Sequence, residues 1–319
     1  IEFGNTLRCT IPQNQGDLLK TVSLKVELGA LEQNVNVNGG FLGTGYVESI
    51  GHAMIEYAEL YIGDNLIQRV PSDYLAIYSD NYVTQTKQHN LAKLIGKPPL
   101  EFSGTPVSDV QISGYLGYAT SNQNFFVDIP FYFYNNPELA VPLCAITNQE
   151  VEIVIKLRDV KDCICDHYNG IFTLYTGLSP TGLIKSLKVT TEMVSINEEE
   201  RQKIISTKTD YIITQIQESK TSIPQSVLTI KHKLEFKNPV KELFFIIQLE
   251  NTRTINTPIL TPFDYDLDYQ LSVTFDEYIN YENLRSLELT LDDTIILNEE
   301  TGSVINLRAV QSGIHHTRT

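Results

Sequence analysis

The 319-residue chain has no tryptophan, two methionines and four cysteines, and each shortage narrows what it can be. Cys9, Cys144, Cys163 and Cys165 are too few to staple a chain of this length, so reduced thiols are expected rather than a disulfide framework. No apolar run approaches the roughly 18 residues needed to cross a bilayer, and no membrane insertion is expected. Basic residues are scarce as well: 24 Lys and Arg stand against 39 Asp and Glu, for a net charge of −15, and the cations are scattered rather than gathered in an arm. Nucleic-acid binders neutralise phosphates with clustered cations, so direct nucleic-acid binding is not expected. The acidic balance instead opposes nonspecific association. No asparagine begins an Asn-x-Ser/Thr acceptor, and there is no phosphate loop or nucleophile motif.

What remains is the grammar of β-structure. The composition, 42% hydrophobic and 20% charged, is that of an ordinary globular protein, and the length allows one large core or two ordinary ones. Residues 129–158, IPFYFYNNPELAVPLCAITNQEVEIVIKLR, are the most informative stretch. From Phe125 to Tyr134 nearly every side chain is apolar, which predicts a strand buried on both faces, and Asn135, Asn136, Pro137 and Pro142 then force a corner. From Gln149 the period becomes two, with Val151, Ile153, Ile155 and Leu157 facing a core and Glu150, Glu152, Val154 and Lys156 facing mostly water.

Further strands are predicted at Asn5 to Ile11, Leu19 to Leu28, Ile55 to Tyr61 and Val107 to Leu116, with helical patches at Ser72 to Val83 and Gln88 to Ile95. In the second half Asn197, followed by Glu200, predicts a capped helix from Glu198 to Ile205, its acidic first turn suiting the helix dipole. Strands are expected at Tyr211 to Gln217, Val227 to Phe236, Glu242 to Leu249, Tyr269 to Phe275, Leu284 to Leu297 and Val304 to Val310. Many short strands with turn signals predict sandwiches or jelly rolls.

Five stretches together resemble the major capsid proteins of nucleocytoplasmic large DNA viruses. The 129–158 run is similar to a family signature of the form "PFWF, a few residues, PxLALPL". Asn238 to Gln248 resembles "NHPVKELIWVIQ", with Phe244 and Phe245 where other members carry Ile and Trp. Thr191 to Gln217 looks like a strand, an acidic short helix and an "hEYLIEQVQ" strand, Arg8 to Leu28 ends in an "hxLKVxL" strand, and Ile50 to Val70 resembles "IGHxLIxxxELxIGGQxID". The resemblance implies an all-β fold of two consecutive jelly rolls: residues 1–158 as the first, 159–183 as a linker and 184–319 as the second. Members continue past a "HHTRTP"-like run, so the second jelly roll is expected to lack its last strands here.

The same resemblance implies a structural shell protein: a homotrimer forming a pseudo-hexagonal capsomer in the outer capsid of the virion, assembled in the host cytoplasm. Its partners would be neighbouring capsomers and minor capsid and penton proteins. Phe41 to Gly45 and Lys87 to Thr105 are candidate inserts for such contacts.

Chemistry-bearing residues offer no competing reading. Cys163, Cys165 and His167 form a C-x-C-x-H group, but a structural zinc needs a fourth ligand and no second cluster exists, so no metal is expected. His315 and His316 are adjacent and would point to opposite faces of an extended segment. Asp264, Asp266 and Asp268 read as a solvated loop, Glu198 to Glu200 as a helix start and His52 as a packed histidine. No catalytic, cofactor-binding or metal residue is expected, and no enzyme. The alternative is a carbohydrate-binding or hydrolytic β-sandwich, which the lack of tryptophan disfavours.

Overall fold

The computed structural model describes residues 1–31, 35–37, 40–47, 49–97, 121–168, 171–174, 182–224, 227–246, 286–301, 304–305, 308 and 311. Its strands, in chain order, are β1 (Thr6–Thr10), β2 (Leu18–Leu28), β3 (Val35–Val37), β4 (Gly40–Tyr46), β5 (Ile55–Ile62), β6 (Asn65–Pro71), β7 (Gln123–Asp128) and β8 (Val141–Pro142). They continue with β9 (Val151–Leu157), β10 (Ile164–Tyr168), β11 (Ile171–Leu174), β12 (Ile184–Val194), β13 (Leu287–Leu291) and β14 (Thr294–Glu300). The helices are α1 (Ile50–Ala53), α2 (Ser72–Asn81), α3 (Gln85–Ile95) and α4 (Glu198–Ser206).

Two antiparallel sheets face each other. One runs β1-β9-β5-β6, the other β12-β2-β7 with β8 beside β2, and a third, β11-β10-β4-β3, adjoins them through the shared core. The central strands explain the layering. In β2, Val22, Leu24, Val26 and Leu28 alternate inward and are fully buried. In β9, Val151, Ile153, Ile155 and Leu157 do the same, on the face the sequence predicts. These two apolar faces belong to one continuous cluster that also takes in Ala58, Leu60, Val70 and Val127, as a sandwich with one inter-sheet core requires.

The 129–134 run departs from expectation. β7 stops at Asp128, because Pro130 has no N–H to continue a ladder, and the chain turns repeatedly: Tyr134 N–H donates to Phe131 O and Asn136 N–H to Phe133 O. Ile129, Phe131 and Phe133 are nonetheless buried, with the Phe131 and Phe133 ring centroids 5.8 Å apart. The apolar density is a plug at the corner of the core, not a strand.

Strand pairing crosses the expected division of the chain. Residues 159–183, read as a linker, contain β10 and β11, and β10 pairs with β4. β12, expected to begin the second unit, pairs antiparallel with β2 from Ile184↔Leu28 to Val194↔Leu18. Hydrogen bonding therefore ties residues up to Val194 into the first sandwich. Phe41 to Gly45 lies inside β4 rather than in an insert.

Helix signals were better placed. α3 ends at Gly96, whose φ of +77° suits glycine, and a Cβ there would lie 2.7 Å from the Phe125 ring. α4 starts as predicted, with the Asn197 side chain accepting from the Glu200 N–H at 2.8 Å.

Beyond α4, the strands expected at Tyr211 to Gln217, Val227 to Phe236 and Glu242 to Leu249 form no ladder among the described residues. The predicted Leu284 to Leu297 strand is a hairpin, β13 against β14, broken by Asp292 and Asp293 with φ of 46° and 62°, as a two-residue primed turn demands. Residues 304, 305 and 308 are helical where a strand was expected, while Val107 to Leu116 and Tyr269 to Phe275 lie outside the described residues.

The passage from β12 to α4 is pinned by a buried carboxylate. Arg201 donates through Nε and Nη2 to Asp17 at 2.8 and 3.1 Å, and the Ile196 N–H donates to Asp17 Oδ2 at 2.9 Å. The guanidinium, followed by that N–H, holds the Asp17 carboxyl below its usual range. A depressed carboxyl stabilises the fold above its unfolded value and loses that contribution as pH falls through the folded one.

Two outcomes are expected. Ile153→Asp, placing an unpaired charge at a fully buried position, should cost roughly 3–5 kcal/mol and abolish the cooperative thermal transition, and a wild-type melting curve would remove Ile153 from the core. Asp17→Asn should flatten the fall of melting temperature on acidification below about pH 4. An unchanged slope would show that another carboxylate governs it.

Candidate assembly surfaces

Two described surfaces are built from aromatic and charged side chains. The first is the outer face of the β1-β9-β5-β6 sheet. Because Ala58 and Leu60 point into the core, Tyr57, Glu59 and Tyr61 point away from it. Strand register aligns Arg8, Val154, Glu59 and Arg69 in one row across all four strands.

Arg69 lies 3.5 Å from Glu59 Oε1, with its guanidinium carbon 3.8 Å from the Tyr57 ring centroid. Arg8 pairs with Glu152 and sits 5.8 Å from the Tyr61 centroid, and the Tyr61 hydroxyl donates to Glu59 at 3.2 Å. Burial, then the Glu59 charge, raises the Tyr61 phenol above its ordinary value, so it stays a neutral donor. Val154, expected toward water, is buried within this row. Arginine and tyrosine on a flat sheet face are the side chains that dominate protein–protein contacts.

The second surface is a tyrosine stripe on α2. Tyr74, Tyr78 and Tyr82 recur at helical spacing on one face. Tyr78 stacks on Tyr82 at 5.3 Å and meets the edge of Tyr134 at 6.0 Å, and Asn135 donates to the Tyr78 hydroxyl. Tyr134 in turn donates to Asp128 Oδ2 at 2.8 Å, whose other oxygen accepts from Ser23 at 2.6 Å. The stripe is thus linked to β2 and β7 through the Tyr134 ring and the hydrogen bonds of its hydroxyl and Asp128. Burial pushes Tyr74 and Tyr132 up to about 12 and Tyr82 and Tyr134 higher still, so all four remain protonated hydrogen-bond donors at any ordinary pH.

The residues singled out for chemistry fall elsewhere. Cys163 is fully buried in the core, where burial raises its thiol, and Cys165 and His167 follow on β10 opposite Gly45 and Gly43. Among the described residues no group of three or more His, Cys, Asp and Glu could hold a metal, and no helix is long and apolar enough to cross a membrane. His52 is buried in α1, and Glu198 to Glu200 form the exposed first turn of α4. Asp264, Asp266, Asp268, His315 and His316 lie outside the described residues, as does 98–105 of the Lys87 to Thr105 stretch, whose start is α3.

Sequence reasoning missed both surfaces. The 74, 78, 82 spacing was a usable signal for the stripe, but the Arg–Tyr–Glu row needs strand register, which no single strand reveals.

Residues 1–217 match the family model described as "Major capsid protein N-terminus". "Capsid protein 1" of Acanthamoeba polyphaga mimivirus is 31% identical over 242 residues, covering 74% of this chain and 39% of that protein. The "Major capsid protein" of Phaeocystis pouchetii virus is 23% identical over 296 residues, covering 88% of this chain and 52% of that protein. The chain thus spans about two-fifths to one-half of these relatives' length. Among solved structures, the PBCV-1 virus capsid quasi-atomic model aligns with a TM-score of 0.65 at 18% identity, over 97% of this chain and 70% of that one. That likeness establishes the double jelly-roll fold. With two-thirds of its length inside the family model, the chain belongs to the major capsid protein family of large DNA viruses.

Proposed function

We propose that this chain is a non-enzymatic building block of the outer shell of a large icosahedral DNA virus. Three copies associate into a pseudo-hexagonal capsomer that contacts neighbouring capsomers and minor capsid and penton proteins. The virion shell is its location, after assembly in the host cytoplasm. The observation that carries this reading is the family match over residues 1–217, which takes in the sandwich that β12 closes.

Physical features support it. A ring of three uses a heterologous contact, in which one patch of each copy meets a different patch of the next. Such a contact needs about 2,000 Å² or more, and the Arg–Tyr–Glu face supplies a rigid, sheet-borne patch with the right composition. A net charge of −15 suits an outer layer that meets proteins and water rather than the genome. The pairing of β10 with β4 and of β12 with β2 supports a first jelly roll that extends through Val194, with the second after α4.

Light scattering of the full-length protein, followed by negative-stain imaging of the same peak, is expected to give three times the chain mass and a six-lobed outline around a central depression. A compact monomer that does not associate at high concentration would overturn the reading. Elution and particle mass are expected to be unchanged by chelator, since no metal is assigned to the assembly. Loss of the trimer under chelation would place a structural metal in it.

A further inference from the structure

After α4 the chain returns to the first sandwich and lies along β6 and α2, yet it is held there in an unusual way. Gln68, buried on β6, accepts from the Tyr132 N–H at 2.8 Å and donates to Thr214 O at 3.2 Å. Gln215 donates to Ile67 O at 2.8 Å, Ile216 packs on the core, and Lys220 lies 3.4 Å from Asp73 in the first turn of α2. Farther along, Tyr82 donates its hydroxyl to Glu242 and presents its ring to the edge of Phe244, with centroids 6.3 Å apart.

The two contacting stretches are clipped to one another. The Gln217 side chain accepts from the Lys237 N–H at 2.9 Å and donates to Lys237 O at 2.5 Å, and Ser219 meets His232 at 2.7 Å. Among the described residues no main-chain to main-chain hydrogen bond joins 208–246 to the sandwich. Each of the ties named above is made by a side chain.

We propose that the tyrosine face of α2, with the adjoining edge of β6, is the coupling surface that fixes the second half of the chain to the first jelly roll, and that this clasp separates without unfolding the sandwich. The sandwich has its own ladder-bonded sheets and closed core, to which the described residues of 208–246 contribute one partly buried side chain, Ile216. The clasp depends chiefly on Tyr82 and Gln68, because Lys220 is 61% exposed and a solvated ion pair adds little. Tyr82 is in turn held by Tyr78, and Tyr78 by Tyr134 and Asn135, so the angle of the second half is referred to the 129–136 corner. For the capsomer, and resting on the reading above, the clasp sets how nearly the two jelly rolls of one copy are equivalent around the ring.

The absence of tryptophan makes the test direct, since Phe244→Trp introduces a single fluorophore beside Tyr82. In full-length protein carrying Phe244→Trp, Tyr82→Ala is expected to shift the emission to the red and raise its quenching by acrylamide several-fold. The far-ultraviolet melting midpoint of the sandwich should stay within a few degrees. Tyr82→Phe, which keeps the ring, should fall between the two. Emission unaffected by Tyr82→Ala would overturn the clasp, and a sandwich that melts together with the loss of contact would overturn its separability. These readouts need no trimer, so they fail independently of the shell reading, which the wild-type particle mass tests alone.

Discussion

The structure depends on one constraint: the inward faces of β2 and β9 must cover each other. Each strand is central in its sheet, each presents four fully buried branched side chains, and neither could bury them in a single layer. Their contact decides where the other parts go. β1 and β5 flank β9, β12 and β7 flank β2, and the aromatic corner at Ile129 to Phe133 fills one end. The helices are accommodations to this core. α3 closes against Phe125 and Ile50 only because Gly96 leaves no Cβ between them.

Much of this was legible in the sequence, because period-two alternation and caps are local signals. β1, β2, β5, β9 and all three longer helices lie within a few residues of where the pattern puts them, and Asn197 caps α4 as its chemistry requires. What was not legible is non-local. The apolar run after Asp128 reads as a two-sided strand, yet Pro130 ends the ladder and only the tertiary position of the corner makes both faces dry. Nothing in residues 184–194 says that they pair with a strand some 165 positions earlier. Strand pairing is likewise set by distant residues: among the described residues Thr214 O meets the Gln68 side chain and the Lys237 N–H the Gln217 side chain.

The surfaces follow the same division. The features described are lateral: a row in which Arg8, Val154, Glu59 and Arg69 align only once four strands are in register, and a stripe whose three tyrosines gain meaning from Tyr134 and Phe244. In the shell proposed for this chain such surfaces would have a purpose, since a shell is made of contacts between rigid sandwiches. The Asp17–Arg201 pair belongs to this logic as well, because it fixes the direction in which the chain leaves the first unit.

Hydrogen exchange across β12 in the full-length protein tests most directly whether one sandwich core organises the chain through Val194. With β12 paired to β2 on one side, alternate amides between Leu187 and Val194 should exchange as slowly as those of β2, and those of 208–224 far faster. Uniformly fast exchange in β12 would contradict the pairing and return the boundary between the two jelly rolls to the region before Ile184.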